Sequence, residues 1–463
     1  MNENKMGTMP ENRLLITMAL PIMVAMLISA LYNIVDSIYV AQISENALTA
    51  VSLAFPIQML FMAFNIGLAV GVNAVVARNL GRKNFSVAEH TAGNGVFLAL
   101  CCAIASIVFS VFGSEPFMHL QTANADIAYG GIRYLKICML LSGGLYFEIM
   151  FERILQATGR SLPTMIVQGF GAILNIILDP ILIFGYCGFP AFGIAGAAYA
   201  TVTSQLIAAI AAFIFNHIFN HDIHLKLKHL RPDSKILWEI LRIGLPSSVM
   251  ASIGSFLIFG LNTIIGRFSS TAVAVLGIYF KIQSFLFMPV FGLNNASIPI
   301  IAFNYGAEKP ARIKKTVKLA TVYAVMIMLF GFIGMQVFAA ELIELFNPTP
   351  LMLTIGIPAL RSISYSFPIA AVCVTFSGFF QALGHGTISM IVSVTRQLIV
   401  ILPLAYIISL WGELSYIWWA FPIAEAVAFV MSAFAFHRLI QTTVNPLYKK
   451  TDEISIRVTC RYQ

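Results

Sequence analysis

The second half of this 463-residue chain repeats the first half at one constant displacement, the one that brings Leu20 onto Leu245. The matching segments include Leu20-Pro21 with Leu245-Pro246, Gly67-Leu68 with Gly292-Leu293, Gln156-Ala157 with Gln381-Ala382, and Met165-Ile166-Val167 with Met390-Ile391-Val392. No gap is needed to keep this register over roughly 150 residues, which indicates an internal duplication. The chain is therefore expected to fold as two copies of one unit.

The composition places both copies in a lipid bilayer. Hydrophobic residues make up 59% of the chain and charged residues only 10%, whereas a soluble domain carries about a quarter charged residues. Apolar runs long enough to cross about 30 Å of hydrocarbon predict about twelve helices, six in each repeat. The predicted spans are 14–40, 47–77, 92–113, 130–155, 161–187, 192–219, 238–266, 272–303, 316–340, 355–383, 386–411 and 415–440.

An even number of spans in each repeat makes the two repeats parallel, related by an axis along the membrane normal. We therefore expect an all-α polytopic membrane protein with an N-lobe and a C-lobe around a central cleft. The predicted domains are the N-terminal six-helix bundle 1–220, a cytoplasmic linker 221–237, the C-terminal bundle 238–445 and a cytoplasmic tail 446–463. Duplicated membrane bundles of this kind are typical of transporters.

The net charge of +8 follows the alternation of loops and does not indicate a nucleic-acid partner. Basic residues cluster in every second loop, the linker and the tail, while the loops 42–46, 114–126 and 341–354 contain no Lys or Arg. This positive-inside pattern predicts that both termini are cytoplasmic. The lipid bilayer is thus the expected partner of the basic surface, in a multi-pass protein of the plasma membrane.

Several other kinds of site are not indicated. The chain has no G-x-x-x-x-G-K-[ST] loop, so we expect no ATPase of its own, no need for an ATPase subunit and a protein that works as a monomer. The six cysteines form neither a disulfide framework nor a zinc pattern. His217, His221 and His224 have a spacing that suits a metal, although a solvated segment beside the membrane is the better interpretation.

Polar residues inside predicted spans are the strongest functional candidates, because lipid makes them costly. Asp36 lies in the first span, Asn175 and Asp179 lie one helical turn apart in the fifth, and Thr201 lies in the sixth. Counting residues from the span ends places all four at a similar depth in the outer half of the N-lobe. Pro180 removes one backbone hydrogen bond beside Asp179.

Two carboxyl groups in such a pocket cannot both stay ionised cheaply. Either a proton is taken up, or a cation such as Na⁺ is held by oxygens of Asp36, Asn175 and Asp179 with Thr201. Either event changes the local charge by one unit, as a coupling site requires. The alternative is that the two acids are only hydrogen-bonding groups between packed helices. The repeat-related positions of Asp36, Asn175 and Asp179 are apolar, namely Leu261, Val400 and Leu404.

The remaining polar and hinge candidates are less specific. The polar residues of the C-lobe spans are Lys281, Arg396 and Glu425. Lys281 and Glu425 are predicted at similar depth and could pair, either as a structural pair or in contact with substrate or a proton. Glu148 and Glu152 lie four residues apart and are candidates for a cytoplasmic entrance for cations or, with Arg153, for an interfacial ion pair. Further candidates are the repeat-related glutamines Gln58 and Gln283 and the prolines Pro21, Pro180 and Pro246, at which helices are able to bend.

Together these stretches resemble the multidrug and toxic compound extrusion (MATE) family over residues 10–445. The resemblance rests on the Leu-Pro openings at 20–21 and 245–246, Asp36, both Gln-Ala-x-Gly turns, the run 175–185 and the segment 193–201. It implies twelve helices in two lobes and export of lipophilic, mostly cationic compounds in exchange for H⁺ or Na⁺, with no other cofactor. It also implies that Asp36, Asn175 and Asp179, with Thr201 less closely matched, form the cation site.

The chain departs from the family in one respect. Some members carry acids in helices seven and ten, and this chain has none in 238–266 or 355–383, so the coupling site is expected in the N-lobe alone. The competing hypothesis is a flippase for a lipid-linked precursor of the same broad superfamily, which would more often have extra spans and a basic cavity. A membrane-embedded enzyme is disfavoured because no His lies in mid-span.

Overall fold

The computed structural model describes residues 4–346, 348–410 and 413–448. Most of the predicted cytoplasmic tail 446–463 therefore lies outside the described residues, together with its basic side chains. Within the described residues the chain is helical and contains no strand. Ten helices are long and apolar enough to cross a membrane, or twelve when each of two bent helix pairs is counted as one span. The predicted all-α polytopic fold is confirmed.

The helices of the first repeat begin after a single turn, α1 (Lys5–Thr8). They are α2 (Glu11–Ile43), α3 (Glu45–Gly81), α4 (Phe85–Phe112), α5 (Ser114–Gln121), α6 (Ala125–Leu140), α7 (Gly143–Ala157), α8 (Leu162–Phe184) and α9 (Ile194–Phe219). A 3₁₀ turn, Leu227–Leu230, lies in the linker before the second repeat.

The second repeat follows the same plan with more interruptions. Its helices are α10 (Ser234–Ile265), α11 (Ser270–Gly306), α12 (Pro310–Val337), α13 (Ala339–Glu344), α14 (Pro350–Ser364), α15 (Phe367–Ala382), α16 (Gly386–Val394), α17 (Leu402–Ser409), α18 (Leu414–Ile417) and α19 (Ala420–Leu439). π-Helical segments, Thr395–Ile401 and Ile440–Val444, join α16 to α17 and extend α19.

The fourth span of each repeat is broken at equivalent places. The α6–α7 pair bends by 44° and the α14–α15 pair by 47°. The breaks fall after Leu140 and Ser364, and this spacing nearly keeps the displacement of the duplication. The proline candidates Pro21, Pro180 and Pro246 instead lie inside α2, α8 and α10. Their role as hinges stays a prediction.

By contacts between residues the chain divides into two compact units. Unit 1 consists of residues 1–23, 81–83 and 252–463, and unit 2 consists of residues 24–80 and 84–251. This grouping differs from the predicted lobes, because the first part of α2 belongs with the helices of the second repeat and the first part of α10 with those of the first. The predicted lobes follow the duplication and stay a prediction.

Small residues allow the helices of unit 2 to pack closely. Gly144 of α7 lies against the backbone of Leu206 in α9, and Gly196 of α9 lies against the carbonyl oxygen of Leu182 in α8. A β-carbon at either glycine would approach these backbone atoms to less than 3 Å. Packing through small residues is the usual way in which membrane helices approach one another. It holds α7, α8 and α9 in fixed register, which positions the polar side chains described next.

Candidate functional site: a buried acidic cluster in unit 2

One face of α8 carries four residues at helical spacing, Gln168, Gly171, Asn175 and Asp179. Asn175 and Asp179 are 1% and 0% exposed. The Asn175 amide donates a hydrogen bond from Nδ2 to Oδ1 of Asp179 over 3.4 Å. The predicted association of these two residues is therefore present, and it is buried inside unit 2.

Asp36 of α2 belongs to the same cluster. Its carboxylate interacts electrostatically with that of Asp179. The charges of Asp36, Asp179 and Glu148 also interact with the phenol of Tyr32. Tyr32 lies one helical turn before Asp36. The structure thus brings α2, α7 and α8 together around several carboxyl groups, as the depth comparison predicted for Asp36 and Asp179.

The cluster has more acceptors than donors. Oδ1 of Asp36, Oδ1 of Asn175 and Oδ2 of Asp179 are buried, and each is without a hydrogen-bond donor among the described residues. A buried polar atom without a partner is costly. A proton on one carboxyl would supply a donor, and a hard cation would use the same oxygens as ligands. The donor set therefore fits either H⁺ or Na⁺.

Thr201 is less closely connected to this cluster. It lies in α9, and its carbonyl oxygen accepts a hydrogen bond from the hydroxyl of Ser204 over 2.8 Å. None of the described hydrogen bonds joins its side chain to Asp36 or Asp179. Its part in the cation site stays a prediction.

A second acidic pair, Glu148 and Glu152 of α7, lies against the same face of α8, closer to the N-terminus of that helix. Oε2 of Glu152 accepts a hydrogen bond from Nε2 of Gln168 over 2.7 Å. Oε1 of Glu148 lies 3.9 Å from the position that a β-carbon on Gly171 would occupy. Glu148 and Glu152 also interact with each other electrostatically. Glu148 of α7 thus lies beside Gly171 of α8, at van der Waals distance from the position of a β-carbon there.

This geometry bears on the two interpretations of Glu152. The side chain is 4% exposed, and Oε1 is buried without a donor among the described residues. Arg153 donates to Oε1 of Gln156 over 3.1 Å, and no Glu152–Arg153 bridge occurs among the described ion pairs. Glu152 and Arg153 nevertheless interact electrostatically, so the ion pair and the entrance for cations both stay predictions. Glu152 faces the interior of unit 2.

Neutral polar side chains complete the cluster. The Cys138 thiol of α6 interacts with the side chains of Gln58 in α3 and Tyr134 in α6 and with the charge of Asp36. Sequence reasoning singled out Gln58 but missed Tyr32, Tyr134, Cys138 and Gln168. Tyr32 is four residues before Asp36 and Gln168 is seven before Asn175, so extending each polar helical face by one or two turns would have found both.

The polar residues of unit 1 are arranged differently from the prediction. Arg396 and Glu425 form an ion pair, with Nη1 of Arg396 3.2 Å and 3.0 Å from the two carboxylate oxygens. The possible pairing of Lys281 with Glu425 does not occur among the described ion pairs, and Nζ of Lys281 lies 5.7 Å from the centre of the Phe346 ring. A similar depth along two spans does not fix the direction of a side chain around the helix axis. Gln283 is half-buried.

The duplication shows how the two units came to differ. Its displacement relates Glu148 to Cys373 and Gly171 to Arg396. The Cys373 thiol interacts with both Glu425 and Arg396. Where unit 2 has the acid Glu148 and the glycine Gly171, unit 1 therefore has a thiol and a guanidinium. The charge of that guanidinium is already balanced by Glu425, so the described part of unit 1 has no counterpart of the acidic cluster.

No group of three or more His, Cys, Asp or Glu side chains is placed to hold a metal ion within the described part of the chain. The predicted metal alternative at His217, His221 and His224 therefore finds no support from geometry. A Na⁺ site built from Asp36, Asn175 and Asp179 contains only two acids, so its donors are carboxylate and amide oxygens.

Comparison with known proteins assigns this architecture to a family. A sequence profile described as MatE matches residues 21–181 and 246–407, two blocks that begin at the repeat-related prolines Pro21 and Pro246. The chain is 26% identical to the multidrug export protein MepA of Staphylococcus haemolyticus over 422 residues, which cover 91% of this chain and 92% of the relative. It is 25% identical over 420 residues to MepA of Staphylococcus aureus, covering 90% and 92%.

Solved structures agree in fold. A MOP superfamily transporter from Pyrococcus furiosus superposes with a TM-score of 0.88 at 25% identity, covering 96% of this chain and 99% of its own. An outward-facing multidrug resistance MATE family transporter superposes with a TM-score of 0.89 at 24% identity, covering 97% and 99%. The profile matches most of the chain in two blocks that follow the duplication, and the chain therefore belongs to the MatE family of membrane transporters.

Proposed function

We propose that this protein is a secondary active multidrug exporter that moves lipophilic, mostly cationic compounds out of the cell in exchange for H⁺ or Na⁺. As a member of the MatE family it is a membrane transporter and not an enzyme. Multidrug export is the activity named for its Staphylococcus relatives. The observation that carries the coupling part of the proposal is the Asp36–Asn175–Asp179 cluster with its three buried oxygens that lack donors among the described residues.

The exchange follows from the charges in unit 2. When the cluster holds a proton or Na⁺, the charge of one carboxylate is cancelled. When it releases the ion, a buried negative charge is exposed to a lipophilic cation that enters the same unit. Two carboxylates in a low-dielectric interior are unfavourable together unless a cation is present. Ion and substrate therefore compete for the same negative charge, and such competition is what couples their opposite movements.

The second acidic pair fits the cationic substrate class. Glu148 and Glu152 face α8 on the side of the Asp36–Asp179 cluster, and the amide of Gln168 holds the Glu152 carboxylate in place. Apolar surface with a few placed polar groups is typical of sites for small molecules. In this proposal Glu148 and Glu152 bind the cationic group of the substrate, while Asp36, Asn175 and Asp179, with Thr201, handle the coupling ion.

The transporter is proposed to work as a single chain in the plasma membrane, with both termini in the cytoplasm and no ATPase subunit. The positive-inside distribution of Lys and Arg supports this orientation. A lipid-linked-precursor flippase is less favoured, because the relatives are named as multidrug exporters and the buried polar groups of the cluster in unit 2 are acidic rather than basic.

The test is transport of a fluorescent lipophilic cation by the purified protein in proteoliposomes, with ΔpH and ΔNa⁺ imposed separately. The proposal predicts export driven by one of the two gradients and abolished when that gradient is collapsed. Transport that ignores both gradients, or that is restricted to anionic lipid-linked sugars, would contradict it.

A further inference from the structure

The linker between the two repeats is bound to unit 2 by a histidine. His229 lies in the 3₁₀ turn of the linker and is 2% exposed. Its Nε2 is 3.7 Å from Oε2 of Glu89 in α4, and its ring is centred 4.7 Å from that of His90. Nδ1 of His229 is buried and has no hydrogen-bond partner among the described residues.

The backbone around His229 is held by the same stretch of α4. Asn94 donates from Nδ2 to the carbonyl oxygen of Arg231 over 3.2 Å, and its Oδ1 accepts from the backbone N–H of Asp233 over 2.9 Å. Gly93 lies so close to the His229 carbonyl that a β-carbon would come within 2.2 Å of the oxygen. We call these contacts of residues 224–233 with Glu89, His90, Gly93 and Asn94 the linker clasp.

The linker clasp is continuous with the start of α10. Oδ1 of Asp233 accepts from the backbone N–H of Lys235 over 2.8 Å, so Asp233 caps the first turn of α10. Detaching the clasp would therefore release from α4 both the linker and Asp233, the residue that caps α10. The first part of α10 belongs to unit 2, and the clasp supplies polar contacts just before this helix begins.

The duplication supplies a comparison in which the corresponding contacts contain no histidine. The residues before α2 are attached to unit 1, where Arg312 donates to the carbonyl oxygen of Met9 over 2.6 Å and pairs with Glu11 at 3.2 Å. Lys315 also pairs with Glu11, at 2.9 Å. The displacement of the repeat relates Lys315 to His90 and Asn4 to His229. One attachment thus uses permanent cations, and the other uses histidines.

We propose that the linker clasp is an acid-released latch, in which protonation of His229 detaches residues 224–233 from α4. Imidazole is the side chain whose charge changes near physiological pH. In the clasp a positive ring would be buried beside His90 and Lys228, with Glu89 as the one facing carboxylate among the described residues and the His224 backbone N–H already bonded to Glu89. In the released linker the ring is solvated and accepts a proton freely.

The sign of the pH dependence follows from these contacts. Burial lowers the pKa of His229 in the clasp, while Glu89 and the backbone of His224 oppose that shift and His90 and Lys228 add to it. The released linker then binds more protons than the attached one, so the contribution of His229 to attachment is fully present above about pH 6.5, the ordinary pKa of histidine. It weakens as the pH falls from there toward the lowered pKa, by up to about tenfold per pH unit. With the linker in the cytoplasm, the latch would respond to internal acidification.

The experiment is hydrogen–deuterium exchange of the full-length protein in detergent at pH 7.5 and 5.5, with labelling times scaled to the intrinsic exchange rate at each pH. The peptide covering residues 221–236 should lose protection at pH 5.5, while the peptide covering residues 4–12 should keep it. His229→Phe should abolish the difference between the two pH values. His221→Gln changes an exposed histidine of the same linker and should leave the wild-type response intact.

A second variant tests the proposal if His229→Phe disturbs the clasp at pH 7.5. Glu89→Gln keeps an acceptor for the His224 N–H but removes the carboxylate that favours a positive ring. In Glu89→Gln the pKa of His229 in the clasp should fall further while that of the released linker is unchanged, so the loss of linker protection at pH 5.5 should be greater than in the wild type. The proposal is overturned by linker protection that does not change between pH 7.5 and 5.5, by an equal loss in His229→Phe, or by a loss in Glu89→Gln at pH 5.5 that is no greater than in the wild type.

Discussion

At the scale of single residues, the proposed coupling depends on carboxyl groups of unit 2 that are not paired with an opposite charge among the described ion pairs. Asp179 is fully buried and its Oδ2 is without a donor among the described residues. A buried charge kept only for structure is normally matched by an opposite charge, as Arg396 and Glu425 are in unit 1. The unmatched acids of unit 2 are therefore the groups through which we propose that a cation acts.

Replacing Asp36 by Asn should abolish gradient-driven export while leaving folding near normal. The amide keeps the shape of the carboxylate but cannot exchange a charge with the coupling ion. Efflux of a fluorescent cation under the imposed gradient should fall to the level of protein-free vesicles, with an unchanged thermal unfolding midpoint. Efflux at the wild-type rate from Asp36→Asn would exclude Asp36 from coupling.

Replacing Glu152 by Gln should weaken the binding of cationic substrates without altering their coupling to the ion. Gln168 can still hydrogen-bond to the new side chain, but the negative charge is lost. We expect about tenfold weaker apparent affinity, equal to about 1.4 kcal/mol. Transport kinetics of a cationic compound and of an uncharged analogue provide the comparison. A similar loss for both compounds would mean that Glu152 supports the helices rather than binding the cation.

At the scale of elements, close approach of helices through glycine determines how α10 attaches to unit 2. A β-carbon on Gly71 of α3 would lie 2.5 Å from the carbonyl oxygen of Ile240 in α10. A β-carbon on Gly67, one turn earlier, would lie 2.2 Å from Oγ of Ser248. These glycines lie on one face of α3, and the backbone of the first part of α10 packs closely against that face.

Gly71→Ala should therefore lower the stability of the folded protein by about 1–3 kcal/mol, because the backbone of α10 must move away. Gly334→Ala in α12 is the matched control, since a β-carbon there meets nothing within 4 Å. Alanine in a helix is favoured over glycine by about 0.5–1 kcal/mol, so the control should be neutral or slightly stabilised. Equal thermal unfolding midpoints for the two variants would contradict this packing.

The sequence predicted the elements well and the pairings between them poorly. Hydrophobic run length and the duplication located the spans, because both depend on local composition and on a constant register. The faces of α8 and α2 were also predictable, since Asn175 and Asp179 are one turn apart. The Arg396–Glu425 pair was not, because it depends on rotation around the helix axis in a segment with π-helical geometry. The place of Cys138 in the cluster was not predictable either, because it depends on the tertiary contact of α3 with α6.

At the scale of the whole molecule, a duplicated scaffold has acquired two different interiors. Unit 2 contains an acidic cluster with unsatisfied oxygens, whereas the polar core of unit 1 is an ion pair that includes Arg396, the residue related to Gly171. The residues of the second repeat that correspond to the cluster, Leu261, Val400 and Leu404, offer neither an acid nor an amide. We therefore propose that coupling takes place in unit 2 alone, and changes confined to unit 1 should leave it intact.

The most direct measurement of this assignment is the ion-to-substrate stoichiometry of proteoliposomes that contain the wild type, Asp179→Asn, or the double variant Arg396→Leu with Glu425→Leu. The double variant removes both partners of the buried pair, which proteins often tolerate when apolar residues fill the space. If coupling takes place in unit 2 alone, Asp179→Asn should bind substrate but export none against the gradient, while the double variant should keep the wild-type stoichiometry. Equal loss of coupled transport in both variants would show that coupling is shared between the units and would contradict its location in unit 2.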